Sequence, residues 1–289
     1  MQPNVLISQD LSCMGQVSLG VALPLLGACG FQPTVLPTAL LSTHTGGFGA
    51  NSYLDLSTEM IKILQHWEQL TTKFDAVYLG YLGAQPLDVL LEHLPRVCAK
   101  DCLFLVDPVM GDHEKLYRGF DDHYVAQMRQ LVKKASLVTP NLTEAKLLLG
   151  MALKPTTSPV TLAEAQKIAR QLAIQFEIPH VVLTGLDLAE NQIGVVGYQL
   201  ADKLNWEIVQ PKLPGNFFGT GDLFASVLLA GILRGYHVKS AAQIAMDFIS
   251  QAITQTPANH DLRYGINYAS AMVTLLNRLE KKKGITNHA

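Results

Sequence analysis

Residues 219–230 read GTGDLFASVLLA, and this stretch decides how the chain is interpreted. Gly219 and Gly221 let the backbone approach a ligand closely and adopt positive φ angles. The apolar run behind them has helical spacing, with Leu223 and Val227 on one face. The glycines are therefore expected at a helix N-terminus, where free N–H groups and the helix dipole favour negative charge.

Asp222 puts a carboxylate inside this predicted anion site. It can serve as an ordinary first-turn residue that satisfies the N–H groups of its helix. It can instead take a proton from an attacking hydroxyl, while the amides of Gly219, Thr220 and Gly221 stabilise phosphate charge. The motif alone leaves both interpretations open, so the rest of the chain has to decide between them.

Short apolar runs alternate with helical patterns through most of the chain. The predicted strands are Val5–Ser8, Thr34–Pro37, Ala76–Leu79, Leu103–Asp107, Leu137–Thr139 and Val181–Thr184. The predicted helices are Gln16–Cys29, Thr58–Thr71, Pro86–Ala99, Asp121–Lys133, Leu142–Leu149 and Thr161–Phe176. This alternation, with nearly uninterrupted apolar strands, predicts an α/β fold with a mainly parallel central sheet covered by helices on both faces.

The pattern changes after Gly185. Ile193–Tyr198 and Trp206–Val209 are predicted to be antiparallel strands near one edge of the sheet. The last predicted helices are Asp222–Arg234, Ala241–Thr256 and Ile266–Lys282. Because no long linker, internal repeat or low-complexity tract interrupts the chain, we expect residues 1–289 to form one domain.

The composition limits the classes of function. Hydrophobic residues make up 48% and charged residues 16% of the 289 residues, which is enough apolar side chain for a large core. A net charge of −2 without a basic stripe disfavours binding to nucleic acid or to an acidic membrane. The basic cluster Lys281–Lys283 is expected at a C-terminal helix end, where it favours the negative pole of the dipole. Without a leader pattern or an 18-residue apolar span, a cytoplasmic protein is expected.

The four cysteines suggest no special chemistry. Cys13, Cys29, Cys98 and Cys102 match neither the spacing of a zinc site nor a CxxC redox pair. Cys98 and Cys102 would share a helix face only if one helix covered both, and the strand predicted from Leu103 opposes that. We therefore expect buried or incidental thiols, which suits a reducing compartment.

Three polar motifs follow predicted strands at their carboxyl ends, where open parallel sheets bind ligands. They are Asp107-Pro108-Val109-Met110-Gly111-Asp112, Thr139-Pro140-Asn141-Leu142-Thr143-Glu144 and Thr184-Gly185. Each fits ordinary turn or capping chemistry when taken singly. Together with the glycine motif they predict a site for Mg²⁺ and a polyphosphate, because Mg²⁺ prefers carboxylate, phosphate and water oxygens. Asp107, Asp112 and Glu144 would supply these carboxylates, with Asn141 beside them.

The common nucleotide fingerprints are absent from the sequence. It contains neither a G-x-x-x-x-G-K-[ST] loop nor a G-x-G-x-x-G motif after the first strand, which disfavours a P-loop kinase and a dinucleotide dehydrogenase. The motifs described above, in this order and with His44-Thr45-Gly46 and Gly80-Tyr81, instead resemble the pyridoxal kinases, vitamin B6 kinases of the ribokinase superfamily. The resemblance extends from Val5 to about Leu279.

The resemblance implies a ribokinase-like fold and ATP-dependent phosphorylation of the 5′-hydroxyl of pyridoxal, pyridoxine or pyridoxamine. It implies that Asp222 is the catalytic base, with Gly219, Thr220 and Gly221 as the anion hole. The implied ATP-binding residues, besides that anion hole, are Asp107, Tyr117, Asn141, Glu144 and Thr184. The implied metal-site residues are Asp107, Asp112, Glu144 and Thr139. The implied substrate-binding residues are Asp10, Thr45, Tyr81 and Asp222. The resemblance also implies a monovalent cation, K⁺, near Thr139 and Thr184, and a homodimer.

Two positions depart from the family pattern. Asp10 stands where many pyridoxal kinases carry a serine that contacts the substrate. A carboxylate there would favour a protonated pyridine nitrogen, or it could cap the first-strand loop. Gly185 stands where family members often carry serine, which removes one hydroxyl contact to the nucleotide.

Two other functions are alternatives to a pyridoxal kinase. A hydroxymethylpyrimidine kinase, or a kinase with both activities, would share most of the motifs. Gly111-Asp112 argues for the pyridoxal branch, because the pyrimidine kinases usually carry a different loop after Asp-Pro-Val-Met. The other rival is a non-catalytic protein that binds B6 vitamers, and retention of Asp222 with all the metal-site carboxylates argues against it.

Overall fold

The structure, a computed structural model, describes residues 2–71, 73–154 and 158–280. The strands are β1 (Val5–Ser12), β2 (Thr34–Leu41), β3 (Tyr53–Asp55), β4 (Phe74–Leu79), β5 (Cys98–Val106), β6 (Gly111–Asp112), β7 (Lys115–Leu116), β8 (Leu137–Val138), β9 (His180–Leu188), β10 (Gln192–Gln199) and β11 (Leu204–Pro211). The α-helices are α1 (Leu19–Ala28), α2 (Ser57–Gln69), α3 (Ala84–Val97), α4 (Asp122–Val132), α5 (Leu142–Leu149), α6 (Leu162–Phe176), α7 (Thr220–Leu233), α8 (Val238–Gln255) and α9 (Met272–Glu280).

Within the described residues, nine strands form one sheet in the order β11-β10-β9-β8-β5-β4-β1-β2-β3. The neighbouring strands from β9 to β2 run parallel. β10 and β11 extend one edge in antiparallel pairing, and β3 pairs antiparallel with β2 at the other edge. The predicted mainly parallel sheet and its antiparallel pair are confirmed. β3 is not predicted from the sequence, because a strand of three residues is too short to show a periodic pattern.

Helices cover both faces of this sheet. Successive side chains of a strand point to opposite faces, so Val77 and Leu79 of β4 pack in one core and Ala76 and Tyr78 in the other. Helices α2 to α6 bury their apolar side chains in the first core, and α1, α7, α8 and α9 bury theirs in the second. This confirms the predicted layers, and it explains why the central strands carry apolar residues almost without a break.

Two predicted helices begin later than expected. The helix predicted from Gln16 begins at Leu19, because Ser18 has a φ of 47° and cannot continue a right-handed helix. The helix predicted from Ile266 begins at Met272, after two short 3₁₀ helices, Leu262–Tyr264 and Tyr268–Ala271. Gly265, with a φ of 87°, separates the first of these from Ile266, which is buried. The predicted end at Lys282 and the cluster Lys281–Lys283 lie outside the described residues.

The first strand is longer than predicted, which changes the position of Asp10. Asp10 is expected in a loop, but β1 continues to Ser12 and pairs with β2 as far as Leu41. Between the pairs Gln9–Pro37 and Leu11–Leu40, β2 has one residue more than β1, so Asp10 lies opposite a bulge in β2. Bulges redirect side chains next to functional sites, and this one accompanies the buried position of Asp10.

In the described part of the chain, no helix is both long enough and apolar enough to cross a membrane.

Candidate active site

Gly219 shapes the N-terminus of α7. It is the residue before the helix and adopts the left-handed conformation, with φ 76° and ψ 2°. A β-carbon at this position would lie 2.3 Å from the carbonyl oxygen of Gln16, so only glycine fits the space and the backbone angle. The predicted glycine-led helix start is therefore present. Its first N–H groups point away from the helix towards the sheet edge where the strand ends meet.

Asp222 lies in the first turn of α7 and is half-buried. Its Oδ2 accepts a hydrogen bond of 2.9 Å from the backbone N–H of Ser18, at the start of α1. The donor of this hydrogen bond lies outside α7, whereas a capping carboxylate accepts hydrogen bonds from N–H groups of its own helix. Burial raises the pKa of Asp222 to about 7, against the effect of the Ser18 N–H, and the charge of Asp10 raises it further. A carboxylate with a pKa near neutral can exchange a proton at physiological pH.

Asp107 faces the same helix N-terminus. It follows β5 directly, is only 7% exposed, and donates its backbone N–H to the carbonyl of Leu79 at 2.8 Å. Its Oδ2 lies 3.8 Å from the position that a β-carbon on Gly221 would occupy. Burial raises the pKa of Asp107 well above its usual range, and the charge of Asp222 adds to the effect. Two carboxylates from distant parts of the sequence therefore share one cleft.

Glu144 and Asn141 form a capping box at the start of α5. Asn141 Oδ1 accepts the Glu144 N–H at 2.9 Å, and Glu144 Oε2 accepts the Asn141 N–H at 2.9 Å. Both side chains also hold the loop after β5, because Met110 N–H donates to Glu144 Oε1 at 3.2 Å and Asn141 donates to the Gly111 carbonyl at 2.8 Å. The capping interpretation of this motif is correct, and the same residues fix the loop between Asp107 and Gly111. Burial raises the pKa of Glu144, and the charges of Asp107 and then Asp112 raise it further.

Asp112 lies in a β6–β7 hairpin that no pattern in the sequence predicts, and Tyr117 follows β7 directly. The turn uses His113 and Glu114, whose φ angles of 49° and 60° are unusual for residues other than glycine. Asp112 is half-exposed. The Tyr117 hydroxyl lies near the acidic residues of the site. Burial raises its pKa most, and the negative charges of these residues raise it further, in the order Glu144, Asp112, Asp107 and Asp222.

The hairpin is tied to α5 by a largely buried ion pair. Lys146 Nζ lies 2.6 Å from Glu114 Oε1, and their side chains are 13% and 11% exposed. The Glu114 N–H also donates to Thr143 Oγ1 at 3.0 Å. These contacts hold the turn in its strained conformation and so determine where Asp112 and Tyr117 lie.

The threonines predicted to lie near phosphates also meet here. Thr184 Oγ1 donates to the carbonyl of Thr139 at 3.5 Å, and the Thr184 N–H donates to the Pro140 carbonyl at 3.0 Å. Thr139 Oγ1 is buried beside Asp107, where it lowers the pKa of that carboxyl, but makes no hydrogen bond of normal geometry. Thus Thr139 and Thr184 line the same strand ends as Asp107 and Asn141.

The carboxylates do not form a complete metal cage. Among residues 2–71, 73–154 and 158–280, no group of three or more His, Cys, Asp or Glu side chains is arranged to hold a metal ion. Asp107, Asp112 and Glu144 are close enough for their charges to interact, but both Glu144 oxygens already accept backbone hydrogen bonds. Any metal bound here would depend on ligand and water oxygens for the rest of its coordination.

A second polar cluster lies at the end of β1. Asp10 is 4% exposed, accepts a hydrogen bond of 2.9 Å from Ser12 Oγ, and lies next to the Ser18 side chain. Its backbone N–H donates to the carbonyl of Tyr81 at 3.2 Å, which places two of the predicted substrate residues side by side. Burial raises the pKa of Asp10. Burial raises the pKa of Tyr81, and Tyr53 of β3 lies close enough to Tyr81 and to Asp10 to interact with both.

The segment around Thr45 is held by His44. The His44 Nδ1 accepts the Gly46 N–H at 3.1 Å, and its Nε2 lies 2.5 Å from the carbonyl oxygen of Arg263. His44 therefore supports the turn. Thr45 is exposed beside it. A β-carbon on Gly46 would lie 2.5 Å from the Phe218 ring, so this turn packs directly against the residue before Gly219.

Sequence reasoning missed several residues that shape the site. Ser18 donates to Asp222, yet nothing in the local pattern distinguishes it from a helix residue. Tyr78 of β4 is fully buried beneath the site, with the side chains of Gln9 and Ser226 beside its hydroxyl and the charges of Asp222 and Asp107 raising its pKa. Gln9, a polar residue directly after the predicted strand Val5–Ser8, is the one of these that the sequence could have indicated.

Known proteins are similar to this chain in sequence and in fold. The family model for phosphomethylpyrimidine kinase matches residues 26–267. A pyridoxine/pyridoxal/pyridoxamine kinase of Bordetella avium is 29% identical over 278 residues, which cover 88% of this chain and 85% of that protein. The family match includes every element from β2 to α8 and does not include β1.

Solved structures agree with the sequence matches. The pyridoxal kinase of Lactobacillus plantarum has a TM-score of 0.84 and 33% identity, covering 97% of this chain and 99% of that one. A Bacteroides thetaiotaomicron protein, provisionally described as a phosphomethylpyrimidine kinase and solved with pyridoxal, has a TM-score of 0.88 and 35% identity, covering 94% and 96%. The predicted ribokinase-like α/β fold is confirmed. The chain belongs to the phosphomethylpyrimidine kinase family and is similar to pyridoxal kinases over almost its whole length.

Proposed function

We propose that this protein transfers the terminal phosphoryl group of ATP to the 5′-hydroxyl of pyridoxal, pyridoxine or pyridoxamine, as a kinase of vitamin B6 salvage. The observation that carries the proposal is the position of Asp222. Its carboxylate has a pKa of about 7 and lies at the N-terminus of α7, in the same cleft as Asp107. The names of the relatives support the choice of vitamer.

Asp222 acts as the general base in this proposal. The substrate hydroxyl oxygen attacks the terminal phosphorus of ATP, the bond from that phosphorus to the bridging oxygen breaks, and ADP leaves. The hydroxyl proton passes to the Asp222 carboxylate. The amides of Gly219, Thr220 and Gly221 stabilise the charge on the transferring group, because the N-terminus of a helix favours anions. Ser18 keeps the carboxylate oriented through its 2.9 Å hydrogen bond.

The nucleotide is proposed to lie along the ends of β5, β8 and β9. Its binding residues would be Asp107, Tyr117, Asn141, Glu144 and Thr184, together with the glycine motif. A bound Mg²⁺ would neutralise phosphate charge, held by Asp107, Asp112, Glu144 and Thr139. Thr139 and Asp107 fit this role, because Thr139 Oγ1 is buried without a hydrogen bond of normal geometry and Asp107 faces the helix N-terminus. K⁺ is proposed near Thr139 and Thr184.

The vitamer ring is proposed to lie between Asp10, Thr45 and Tyr81. Asp10 and Tyr81 are adjacent, and Ser18 lies beside both Asp10 and Asp222. A ring held by Asp10 would therefore place its hydroxymethyl group towards Asp222. The Asp10 carboxylate would favour a protonated ring nitrogen, which the family serine cannot pair with by charge.

One observation favours a second substrate. The family model that matches the chain is that of phosphomethylpyrimidine kinase, so hydroxymethylpyrimidine belongs in the assay as an alternative or additional substrate.

We further propose that residues 1–289 act as a single domain, that the protein forms a homodimer, and that it works in the cytoplasm.

The test is a substrate panel with purified protein. Pyridoxal, pyridoxine, pyridoxamine and hydroxymethylpyrimidine are each mixed with ATP and MgCl₂, and the phosphate ester and ADP are measured by liquid chromatography. We expect equal amounts of ester and ADP with the B6 vitamers. Turnover of hydroxymethylpyrimidine alone would reassign the substrate, and ADP release without ester would refute the kinase proposal. Light scattering on the same sample gives the oligomeric state.

A further inference from the structure

Cys98 and Cys102 lie at the start of β5, away from the active site. In a regular strand, residues four positions apart are separated by about 13 Å, since each residue advances the strand by about 3.3 Å. The pairing of β4 and β5 is not regular here. Phe74 pairs with Cys98 and Ala76 with Leu103, so β5 uses five steps where β4 uses two. The extra residues of β5 are accommodated between these two pairs, which shortens the distance between the cysteines.

The two thiols are consequently neighbours. The side chains of Cys98 and Cys102 lie close enough to affect each other's ionisation, and the Cys102 thiol donates a hydrogen bond of 3.8 Å to the Leu103 carbonyl. Both residues are half-buried, so small reagents can reach them from solvent. The other two cysteines lie apart from this pair: Cys13 is exposed, and Cys29 is fully buried at the end of α1.

Charged neighbours make the pair asymmetric. The neighbouring Cys102 thiol lowers the pKa of Cys98, burial opposes this effect, and the cation of Lys73 lowers the pKa further. The pKa of Cys102 is raised, first by the neighbouring Cys98 sulfur, then by burial, and last by the charge of Asp75. The thiol with the lower pKa is the one expected to attack, and its neighbour is the one expected to resolve the mixed disulfide.

We propose that Cys98 and Cys102 form an oxidisable dithiol that closes to an intramolecular disulfide by exchange with a low-molecular-weight disulfide such as glutathione disulfide. The Cys98 sulfur attacks one sulfur of the reagent, and one glutathione leaves as its thiolate. The Cys102 sulfur then attacks Cys98, loses its proton, and releases the second glutathione. The protein loses two electrons and two protons, and one glutathione disulfide becomes two thiols.

The chain offers a direct readout of this bond. Trypsin cleaves after Arg96, Lys100 and Lys115, so the two cysteines fall in separate peptides, 97–100 and 101–115. The reduced full-length protein is incubated with glutathione disulfide, trapped with N-ethylmaleimide at low pH, digested without reductant, and analysed by mass spectrometry. We expect a species two hydrogen atoms lighter than the sum of the two peptides, which disappears after reduction. Its absence while Cys13 becomes glutathionylated would overturn the inference.

Matched variants test the roles of the two sulfurs. Cys13→Ser should retain the linked species, whereas Cys98→Ser and Cys102→Ser should each lose it. Cys102→Ser should accumulate glutathione on Cys98, because the resolving thiol is missing. Cys98→Ser should accumulate less on Cys102, and the reverse order would overturn the assignment of the attacking sulfur. Linking that is equally fast in guanidinium chloride would show that the fold does not bring the thiols together.

Discussion

The backbone N–H of Ser18 donates a 2.9 Å hydrogen bond to the carboxylate of Asp222, across 204 positions of sequence. This bond joins the start of α1 to the first turn of α7. Ser18 also lies beside Asp10, so the proposed base and the proposed vitamer-binding carboxylate have a neighbour in common. The first predictions concern these two acids.

Replacing Asp222 with Asn is expected to remove most turnover while leaving ATP binding nearly unchanged. The amide has the same shape but cannot accept the hydroxyl proton, and loss of a general base typically costs about 10²–10⁴-fold in kcat. Steady-state kinetics and calorimetric titration with ATP measure the two effects. Asp122→Asn is the matched control, because Asp122 is an exposed aspartate in the first turn of α4. Near-normal kcat in Asp222→Asn would exclude this residue as the base.

The pH dependence of turnover is expected to follow the ionisation of Asp222. Below its pKa of about 7 the carboxyl is protonated and cannot act as a base, so kcat/KM should fall roughly tenfold for each pH unit below that value. Above it the carboxylate is ionised and the acidic side of the profile should be level. Initial rates from pH 5 to pH 9 in constant ionic strength measure this. An inflection near pH 4 would mean that the folded protein does not raise this pKa.

Asp10→Ser is expected to weaken vitamer binding without affecting the nucleotide. A charge-assisted hydrogen bond contributes about 1.5–3 kcal/mol, so KM for the vitamer should rise by roughly 10- to 100-fold while KM for ATP stays constant. Asp10→Asn keeps the shape and removes the charge. If charge pairing matters, this variant should behave like the serine variant. A wild-type KM in Asp10→Asn would show instead that hydrogen bonding alone is sufficient.

Two glycines of the same motif are expected to respond differently to substitution by alanine. In Gly219→Ala the new β-carbon would lie 2.3 Å from the Gln16 carbonyl oxygen at a residue with φ of 76°. The free energy of unfolding should therefore fall by at least about 1–3 kcal/mol, and the melting temperature should fall with it. In Gly221→Ala the nearest atom would be Asp107 Oδ2, at an ordinary 3.8 Å. That variant should fold normally and lose turnover, because its methyl group occupies the proposed phosphate site. Equal thermal stability of the two variants would contradict this distinction.

The ion pair between Glu114 and Lys146 is expected to support the β6–β7 hairpin. Lys146→Met leaves the Glu114 carboxylate largely buried without its partner, and loss of one partner in a buried pair costs about 3–5 kcal/mol. KM for ATP should also rise, since Asp112 lies in the hairpin and Tyr117 follows it directly. The double variant Glu114→Gln with Lys146→Met removes both charges and should recover part of the stability. Additive losses in denaturant unfolding would show that the two residues do not interact.

Much of the architecture was predictable because it depends on local patterns. The alternating apolar runs placed six of the parallel strands, and the change after Gly185 placed the antiparallel pair. The motifs that follow β5, β8 and β9 could be assigned to one sheet edge, because the carboxyl ends of parallel strands lie together. Asp107, Thr139, Asn141 and Thr184 do meet there.

Other features depend on register, which no local pattern reports. The bulge of β2 opposite Asp10 arises from the pairing of β1 with β2, and the proximity of Cys98 and Cys102 arises from the pairing of β4 with β5. The β6–β7 hairpin was missed because His113 and Glu114 are poor turn residues on their own. It exists because Thr143 and Lys146, on α5, hold it in place.

From the amino-acid order alone came the class of fold, the sheet edge that carries the site, and the residue types able to bind phosphate and metal. Three-dimensional packing decided which of those groups have pKa values above their usual range. Asp222, Asp107 and Glu144 have raised pKa values because folding removes water from them and brings their charges close together. Desolvation and the proximity of distant charges are properties of the packed molecule, and they have no counterpart in the order of its residues.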